Sequence, residues 1–425
     1  MTDVLGELKA RGLLAQSTDE EALSQALAEG PVTFYIGFDP TAPSLHMGNL
    51  VQLIIARHLQ RAGHRPLALV GGATGLIGDP RMSGERTLNP QEVVEGWVEK
   101  IRSQIQRFLD FEGPNGATLV NNYDWTSELS AIDFLRDVGK HFNVNTMLAK
   151  EAVAARLQSE SGISFTEFAY QILQGNDYLE LYRRHGCTLQ TGGSDQWGNL
   201  TAGVSLVRKV EQAQVHALAS PLVTKADGTK FGKTESGTVW LDPSMTSPYA
   251  FLQFWLNAAD ADAVKYLKIF SPRPVAEIEQ IAEEFAAKPH ERLAQRILAE
   301  DVTTLVHGAE PTAQAQAAAA ALFGRGELRE LDAATVDAAA AELPHVVVPR
   351  ARLTEGMGLV EALLETGIVK SKGDARRAIR EGGAYVNNTK ETEEERTLGE
   401  NDLLAGTAVL LRRGKKTLGA LRLTD

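Results

Sequence analysis

Asp39-Pro-Thr-Ala-Pro-Ser-Leu-His46-Met-Gly-Asn49 follows an apolar run at residues 32–38. It precedes a run in which Val51, Ile54, Ile55 and Leu59 recur at helical spacing. Pro40 and Pro43 forbid continuation of a strand, so the chain turns between the two runs. The pattern predicts a strand over residues 32–38 and a helix over about 47–62, with Ser44 as the helix N-cap. His46 then falls in the first helical turn, beside unpaired backbone N–H groups and the positive end of the helix dipole. A junction of this kind is a site for an anion, most often phosphate. Gly48 lets a bulky ligand come close to the backbone. Alone, the stretch reads more readily as a surface loop whose histidine caps a helix, and the rest of the chain decides between the two.

Gly63 and Pro66 turn the chain back into a second apolar strand at residues 67–70. The result is a β-α-β unit of a doubly wound parallel sheet, Rossmann-like in class, with a crevice at the strand ends. The second strand runs into Gly71-Gly-Ala-Thr-Gly75-Leu-Ile-Gly78-Asp79-Pro80. These glycines match neither the dinucleotide fingerprint nor the P-loop, so they mark either a tight loop or a ligand loop. Asp79 at its end suits a substrate ammonium. Residues 90–160 read as helices around a short strand at 118–120 and a turn at Asn121-Asn122-Tyr123-Asp124-Trp125, and residues 142–148 are apolar enough to bury against a partner.

Tyr170, Gln174, Asp177 and Tyr178 share one helical face. That face is either the polar edge of a half-buried helix or a pocket wall for a polar small molecule. Gln190-Thr-Gly-Gly193-Ser-Asp195-Gln196-Trp197-Gly-Asn199 reads as a strand end, a turn and a helix start. Its carboxylate and amides serve either as caps or as partners of ribose hydroxyls. Lys225-Ala-Asp-Gly-Thr-Lys230-Phe-Gly-Lys233-Thr234 is a basic loop, flexible by composition. Its lysines and hydroxyl suit charge developing on a leaving phosphate.

The chain has 425 residues, 43% of them hydrophobic, which predicts two or three globular domains. A net charge of −12 confines any nucleic-acid binding to local basic patches. The single cysteine, Cys187, excludes an internal disulfide and a Cys-based zinc site, and no protein-bound zinc is expected. There is no signal-peptide-like core and no long apolar run, so a soluble cytoplasmic protein without a membrane partner is expected. Residues 249–306 read as helical, residues 310–345 as Ala-rich helices, and Pro344 and Pro349 bracket a short linker. From about Ala351 a different small α+β domain begins. It carries a Ser371-capped helix with Lys370, Lys372, Arg376, Arg377 and Arg380 on or near it, and further basic groups at Arg412, Arg413, Lys415 and Lys416. Basic groups on one helix face track a phosphate backbone, although many basic helices bind no RNA.

Together, these motifs resemble the bacterial tyrosyl-tRNA synthetases, a class I aminoacyl-tRNA synthetase family, over essentially the whole chain. His46-Met-Gly-Asn49 is similar to the family's His-Ile-Gly-His motif, and Lys230-Phe-Gly-Lys233-Thr234 to its Lys-Met-Ser-Lys-Ser motif. The resemblance implies a catalytic domain over 1–245 with a helical dimerisation insertion near 110–160. It further implies a helical anticodon-recognition domain over 246–348 and an S4-like RNA-binding domain over 349–425. The implied reaction activates L-tyrosine with ATP and Mg2+, then transfers tyrosine to the 3' end of tRNA(Tyr), in a homodimer. Catalysis would be mostly positioning and stabilisation of phosphate charge.

By the same resemblance, His46 and Thr41 contact the ATP phosphates, with Gly48 and Asn49 beside them. Lys230, Lys233 and Thr234 close over the pyrophosphate. Asp39, Gly193 and Asp195 hold adenosine. Asp79, Tyr170 and Gln174 bind the tyrosine ammonium, Tyr35 and Asp177 its hydroxyl, and Gln196 lies nearby. Lys370, Lys372, Arg376, Arg377 and Arg380 would face RNA. The chain departs from the family in three places. Asn49 stands where a second histidine is common, and Ile36 where cysteine is frequent. The loop Arg81-Met-Ser-Gly-Glu-Arg86 lacks a lysine, for which Arg81 or Arg86 would substitute. The competing readings are a tryptophanyl-tRNA synthetase, a noncatalytic RNA-binding protein, and a nicotinamide-dependent oxidoreductase.

Overall fold

A computed structural model describes residues 3–81, 84, 88–160, 162–229, 231–234, 237–322, 326–414 and 417–424. Its contacts group into two units, residues 1–242 with 259–294, and residues 243–258 with 295–425.

The first unit is built on a six-stranded sheet. Its strands are β1 (Gln16–Ser17), β2 (Thr33–Phe38), β3 (Arg65–Val70), β4 (Thr118–Asn121), β5 (Cys187–Gly193) and β6 (His216–Ser220), in the order β1-β6-β5-β2-β3-β4. β2 to β6 run parallel, and β1 pairs antiparallel at the edge. β2 is covered on both faces: Phe34, Tyr35, Ile36 and Phe38 are all buried, which is why it reads as a continuous apolar run. The chain winds outward from β2 to β3 and β4, then returns to β5 and β6 on the other side. The order therefore reverses between β2 and β5, and the crevice opens at their C-terminal ends.

Helix α1 (Met47–Arg61) buries Leu50, Leu53, Ile54, Ile55 and Leu59. Each such side chain contributes roughly 1.5–3 kcal/mol by leaving water. Its N-cap is His46, not Ser44. Ser44 is buried in the preceding turn, where its hydroxyl donates to the Leu45 carbonyl and accepts from the Asp242 N–H. His46 Nδ1 accepts from the Gly48 N–H at 3.1 Å, and the His46 N–H donates to Asn49 Oδ1 at 3.0 Å. Helix α2 (Phe165–His185) is longer than the motif on it suggested. It starts at Ser164, whose side chain accepts from the Glu167 N–H, and stops at Gly186 in the left-handed conformation. Helix α3 (Trp197–Glu211) follows β5, and helix α4 (Asp260–Phe270) packs against α1.

Between β4 and α2 the chain forms short helices, Ala131–Asp133, Val144–Leu148 and Glu151–Leu157. Ile132, Leu135, Val144 and Leu157 point outward from this region, as does Phe165 at the start of α2. Inside it, Arg156 and Glu167 form an ion pair at 3.0 Å with side chains 1% and 2% exposed. Arg156 Nε also donates to the Gly162 carbonyl, and Nη1 to that of Arg81.

The expected helical segment 246–348 is divided. α4 and the helix Val275–Ala287 belong to the first unit, whereas Pro248–Leu256 packs on Ala309–Leu322 in the second. The stretch expected to be a linker between Pro344 and Pro349 is a strand, His345–Pro349, which pairs in parallel with Thr417–Thr424. It joins an otherwise antiparallel sheet containing Ala408–Arg413, Ala384–Val386 and Thr389–Glu391. Three consecutive valines suit an edge strand, and the terminal proline needs no ladder hydrogen bond there. Helix α5 (Lys372–Arg380) buries Ala375, Ala378 and Ile379 and leaves its basic side outward.

Removing one partner of a buried ion pair leaves the other charge uncompensated. Arg156→Met is expected to destabilise the first unit by about 3–5 kcal/mol. The double variant Arg156→Met/Glu167→Met should recover much of that loss. Denaturant unfolding measures both, and equal losses in the single and double variants would contradict the assignment.

Candidate active site

The register of the sheet sets Tyr35 on β2 opposite Gln190 on β5. Tyr35 is 2% exposed, and its hydroxyl has no hydrogen-bond partner. Its ring packs edge-on to Tyr178 of α2, with centroids 5.4 Å apart. Gln190 Oε1 and Gln174 Oε1 are likewise buried without partners. Asp177, also on α2 and buried, accepts from Trp125 Nε1 at 2.9 Å and from Asn122 Nδ2 at 3.0 Å. Burial pushes the Asp177 carboxyl up to about 7, and the hydrogen bonds from Asn122 and Trp125 oppose that rise. Burial, reinforced by the charge of Asp177, holds the Tyr35 phenol well above its ordinary range. Buried polar atoms usually have partners. Three that lack them, with a carboxyl close by, suit a ligand group able both to donate and to accept.

The polar groups continue along the strand ends. Asn122 Nδ2 also donates to Thr74 Oγ1 at 2.9 Å, and Thr74 Oγ1 donates to Asp39 Oδ1 at 2.7 Å. The Tyr170 hydroxyl donates to Asp39 Oδ2 at 2.6 Å. The glycine loop makes room for this chain of bonds: a Cβ on Gly71 would stand 2.1 Å from Asp39 Oδ1. Asp79 forms a second node. Gln196 Nε2 donates to its Oδ2 at 2.9 Å, Asn199 Nδ2 to its Oδ1 at 3.3 Å, and Lys150 Nζ lies 3.4 Å from Oδ1. Lys150 also donates to Asn199 Oδ1 at 2.6 Å. At the end of β5, a Cβ on Gly193 would stand 2.5 Å from Asp195 Oδ1, so the bare backbone lets that carboxylate fold back onto the turn.

The third part is the N-terminus of α1. Gly48 and Thr41 are exposed there. The Met47 N–H donates to the Val239 carbonyl and the Val239 N–H to the Gly232 carbonyl. Gly232 has φ +77°, and a Cβ on it would lie 2.8 Å from Met47 Cβ. Only glycine fits such a close approach in that conformation. The basic loop is therefore held against the start of α1 at Gly232. Lys230 and Arg86 lie outside the described residues, as do the side chains of Lys233 and Thr234; the Lys233–Thr234 backbone pairs with Gly237–Thr238.

The structure thus brings Tyr35, Asp39, Asp79, Tyr170, Gln174, Asp177, Gly193, Asp195 and Gln196 to the sheet crevice. Sequence reasoning did not single out Thr74, Asn122, Trp125 and Lys150, and it named Gln190 and Asn199 only as part of the strand-end stretch whose amides suit ribose hydroxyls. A position just past the C-terminal end of a parallel strand was the available signal for Asn122. In the second unit, Lys370, Lys372, Arg376, Arg377 and Arg380 are all exposed. Arg376 and Arg380 reach Glu394 at 3.8 and 2.9 Å, and Arg377 shares Asp374 with Arg413 at 2.8 Å each.

The raised Asp177 carboxyl has a consequence for stability. Its folded-state affinity for a proton exceeds the unfolded one, so its contribution is full below the ordinary carboxylate range and is lost as pH rises through about 7. Asp177→Asn carries no such charge. Relative to the parent chain, that variant should gain on the order of a few kcal/mol between about pH 4 and about pH 8, read by denaturant unfolding at each pH. A difference independent of pH would contradict the shift.

Comparison with known proteins gives these features a family. The profile described as tRNA synthetases class I (W and Y) matches residues 27–324, and that of the Tyrosine--tRNA ligase SYY-like C-terminal domain matches residues 337–419. The tyrosine--tRNA ligase of Streptomyces avermitilis is 63% identical over 425 residues, covering 100% of both chains. That of Kineococcus radiotolerans is 60% identical over 99% of both. A C-terminally truncated mitochondrial tyrosyl-tRNA synthetase from Aspergillus nidulans superposes with a TM-score of 0.67 at 28% identity, covering 74% of this chain and 92% of its own. A tryptophanyl-tRNA synthetase from Encephalitozoon cuniculi shares the fold at 13% identity and a TM-score of 0.54, covering 73% and 87%. The chain belongs to the class I tRNA synthetases of the tryptophan and tyrosine group, on its tyrosine branch.

Proposed function

We propose that the crevice between β2 and β5 binds L-tyrosine hydroxyl-end first and activates it with ATP. A tyrosine carboxylate oxygen attacks the α-phosphorus of ATP, the bond to the β-phosphate oxygen breaks, and pyrophosphate leaves. A ribose hydroxyl at the 3' end of tRNA(Tyr) then attacks the acyl carbon, and AMP leaves. The observation that carries this reading is the unpartnered Tyr35 hydroxyl at the buried end of the crevice, with the buried Asp177 of α2 near it. A phenol hydroxyl can donate to Asp177 and accept from Tyr35. An indole N–H can only donate, which disfavours tryptophan.

Asp79, Tyr170 and Gln174, whose Oε1 lacks a partner, receive the substrate ammonium, with Gln196 beside them. At the α1 N-terminus, His46 Nδ1 accepts a backbone hydrogen bond, so the neutral ring carries its proton on Nε2 and donates from there to a phosphate. Asn49 uses its carbonyl oxygen on the His46 backbone, which leaves its amide N–H groups as donors without charge. Thr41 and Gly48 complete the phosphate side. Asp39, Gly193 and Asp195 hold adenosine, and Lys230, Lys233 and Thr234 stabilise the departing pyrophosphate. Mg2+ arrives with ATP and bridges its phosphates rather than sitting in a protein cage.

The outward Ile132, Leu135, Val144, Leu157 and Phe165 support a homodimer interface near the 110–160 insertion. Of the segment 246–348, residues 246–258 and 295–348, which belong to the second unit, are read as anticodon-recognising, and 349–425 as S4-like. The exposed Lys370, Lys372, Arg376, Arg377 and Arg380 would track the RNA backbone. No helix among the described residues is long and apolar enough to cross a membrane.

The test is the ratio of kcat/KM for tyrosine and phenylalanine. A site built to bond a hydroxyl rejects the analogue lacking it by roughly 10⁴–10⁵, a figure already known for tyrosine activation in this enzyme family and not obtained from this geometry. Asp177→Ala should cut that ratio by at least about 100-fold, because a buried charge-assisted bond is lost. Undiminished selectivity in the variant would contradict the pocket assignment.

A further inference from the structure

The basic loop is flexible by composition, yet its two flanks are held by one helix. The Ala226 N–H donates to Asp262 Oδ2 at 3.1 Å, and Asp262 is 4% exposed. Lys265 Nζ donates to the Thr224 carbonyl at 3.0 Å, and the Tyr266 hydroxyl reaches the same oxygen at 3.4 Å. Phe231 lies on Tyr266 with centroids 4.9 Å apart and stacks on Phe270 at 5.3 Å and 25°. All four partners project from α4.

α4 is in turn fixed along its flank and at its C-terminus. Its flank packs against α1, the helix that His46 caps. Its C-terminus is clamped by Arg11, which is 3% exposed. Arg11 Nη1 donates to the carbonyls of Lys268 and Ser271 at 2.9 and 3.0 Å, and Nη2 to that of Arg273 at 2.5 Å. A guanidinium at a helix C-terminus complements the helix dipole as well as its open carbonyls. One rigid helix therefore carries both phosphate-facing elements: it packs on α1 and holds the loop through Asp262, Tyr266 and Phe231. Phe231 lies between Lys230 and Lys233 in sequence, so the aromatic seat falls within the basic motif itself.

We propose that α4 is the seat of the basic loop and that Asp262, Tyr266 and Phe231 are positioning residues for the step that releases pyrophosphate. They touch no substrate. They act by confining the loop at Thr224, Ala226 and Phe231, and an error of about 1 Å in the placement of catalytic groups costs up to about 100-fold in rate. The proposal rests on the reading of that loop as the pyrophosphate-binding element. It leaves the tyrosine subsite, built on β2, β5 and α2, untouched.

The experiment is tyrosine-dependent exchange of inorganic pyrophosphate into ATP by the full chain, alongside equilibrium binding of L-tyrosine. Phe231→Ala and Asp262→Ala are expected to lower kcat by about 10–100-fold, while the KM and the Kd for tyrosine stay within about twofold. Phe231→Met, which keeps an apolar side chain in the seat, should recover most of the rate. Tyr266→Phe keeps the stacking and loses only the hydroxyl, so it should fold normally and fall a few-fold. Unchanged exchange in Tyr266→Phe and in either alanine variant that folds would overturn the proposal, as would loss of tyrosine binding in step with rate. Absence of exchange by the parent chain would instead overturn the reading of the loop itself.

Discussion

The structure depends on a line of hydrogen bonds that ties α2 to the strand ends: Tyr170 to Asp39, Asp39 to Thr74, Thr74 to Asn122, and Asn122 to Asp177. Its carboxyls come from β2's end and α2, and the links between them come from the glycine loop and the turn after β4. Burying Asp177 opposes its ionisation, and only donors on neighbouring elements make the site tolerable. The line therefore fixes where α2 sits over the sheet, and so where the pocket begins. The glycines at 71 and 72 are consequences of the same constraint, since side chains there would occupy the space of Asp39 and Asn121.

From that geometry the chemistry divides by position. On the proposed reading, the buried end, at Tyr35 and Asp177, recognises the substrate. On the same reading, the open end, at the α1 N-terminus and the basic loop, handles phosphate. Between them lie Asp79 and its amide partners Gln196 and Asn199. Asp39, Asp79, Asp177 and His46 are each held by backbone or by a neighbouring side chain, the preorganisation by which positioning lowers a barrier. His46 shows the economy of this arrangement: its Nδ1 holds the helix start by accepting from the Gly48 N–H.

The sequence made the strand–turn–helix around His46 legible because prolines and helical periodicity bracket it so closely. It also placed Tyr170, Gln174 and Asp177 on one face, since that follows from spacing alone. The sequence offered both Ser44 and a capping His46; serine is the usual cap, and only the fold shows Ser44 turned inward and His46 as the cap. Asn122 and Trp125 could not be paired with Asp177 from spacing, because sheet order brings residues more than fifty positions apart together. The strand at His345–Pro349 was hidden by its prolines, which read as punctuation but stand at the margin of an edge strand. The placement of α4 with the first unit was invisible, since its partners on α1 and the basic loop are distant in sequence.

The central claim is that the buried end of this crevice selects a hydroxyl-bearing aromatic amino acid for activation. The most direct measurement is amino-acid-dependent exchange of pyrophosphate into ATP, run with each of the twenty amino acids in turn. The account predicts exchange with tyrosine alone. Exchange supported by tryptophan, or by phenylalanine as well as tyrosine, would contradict the roles given to Tyr35 and Asp177.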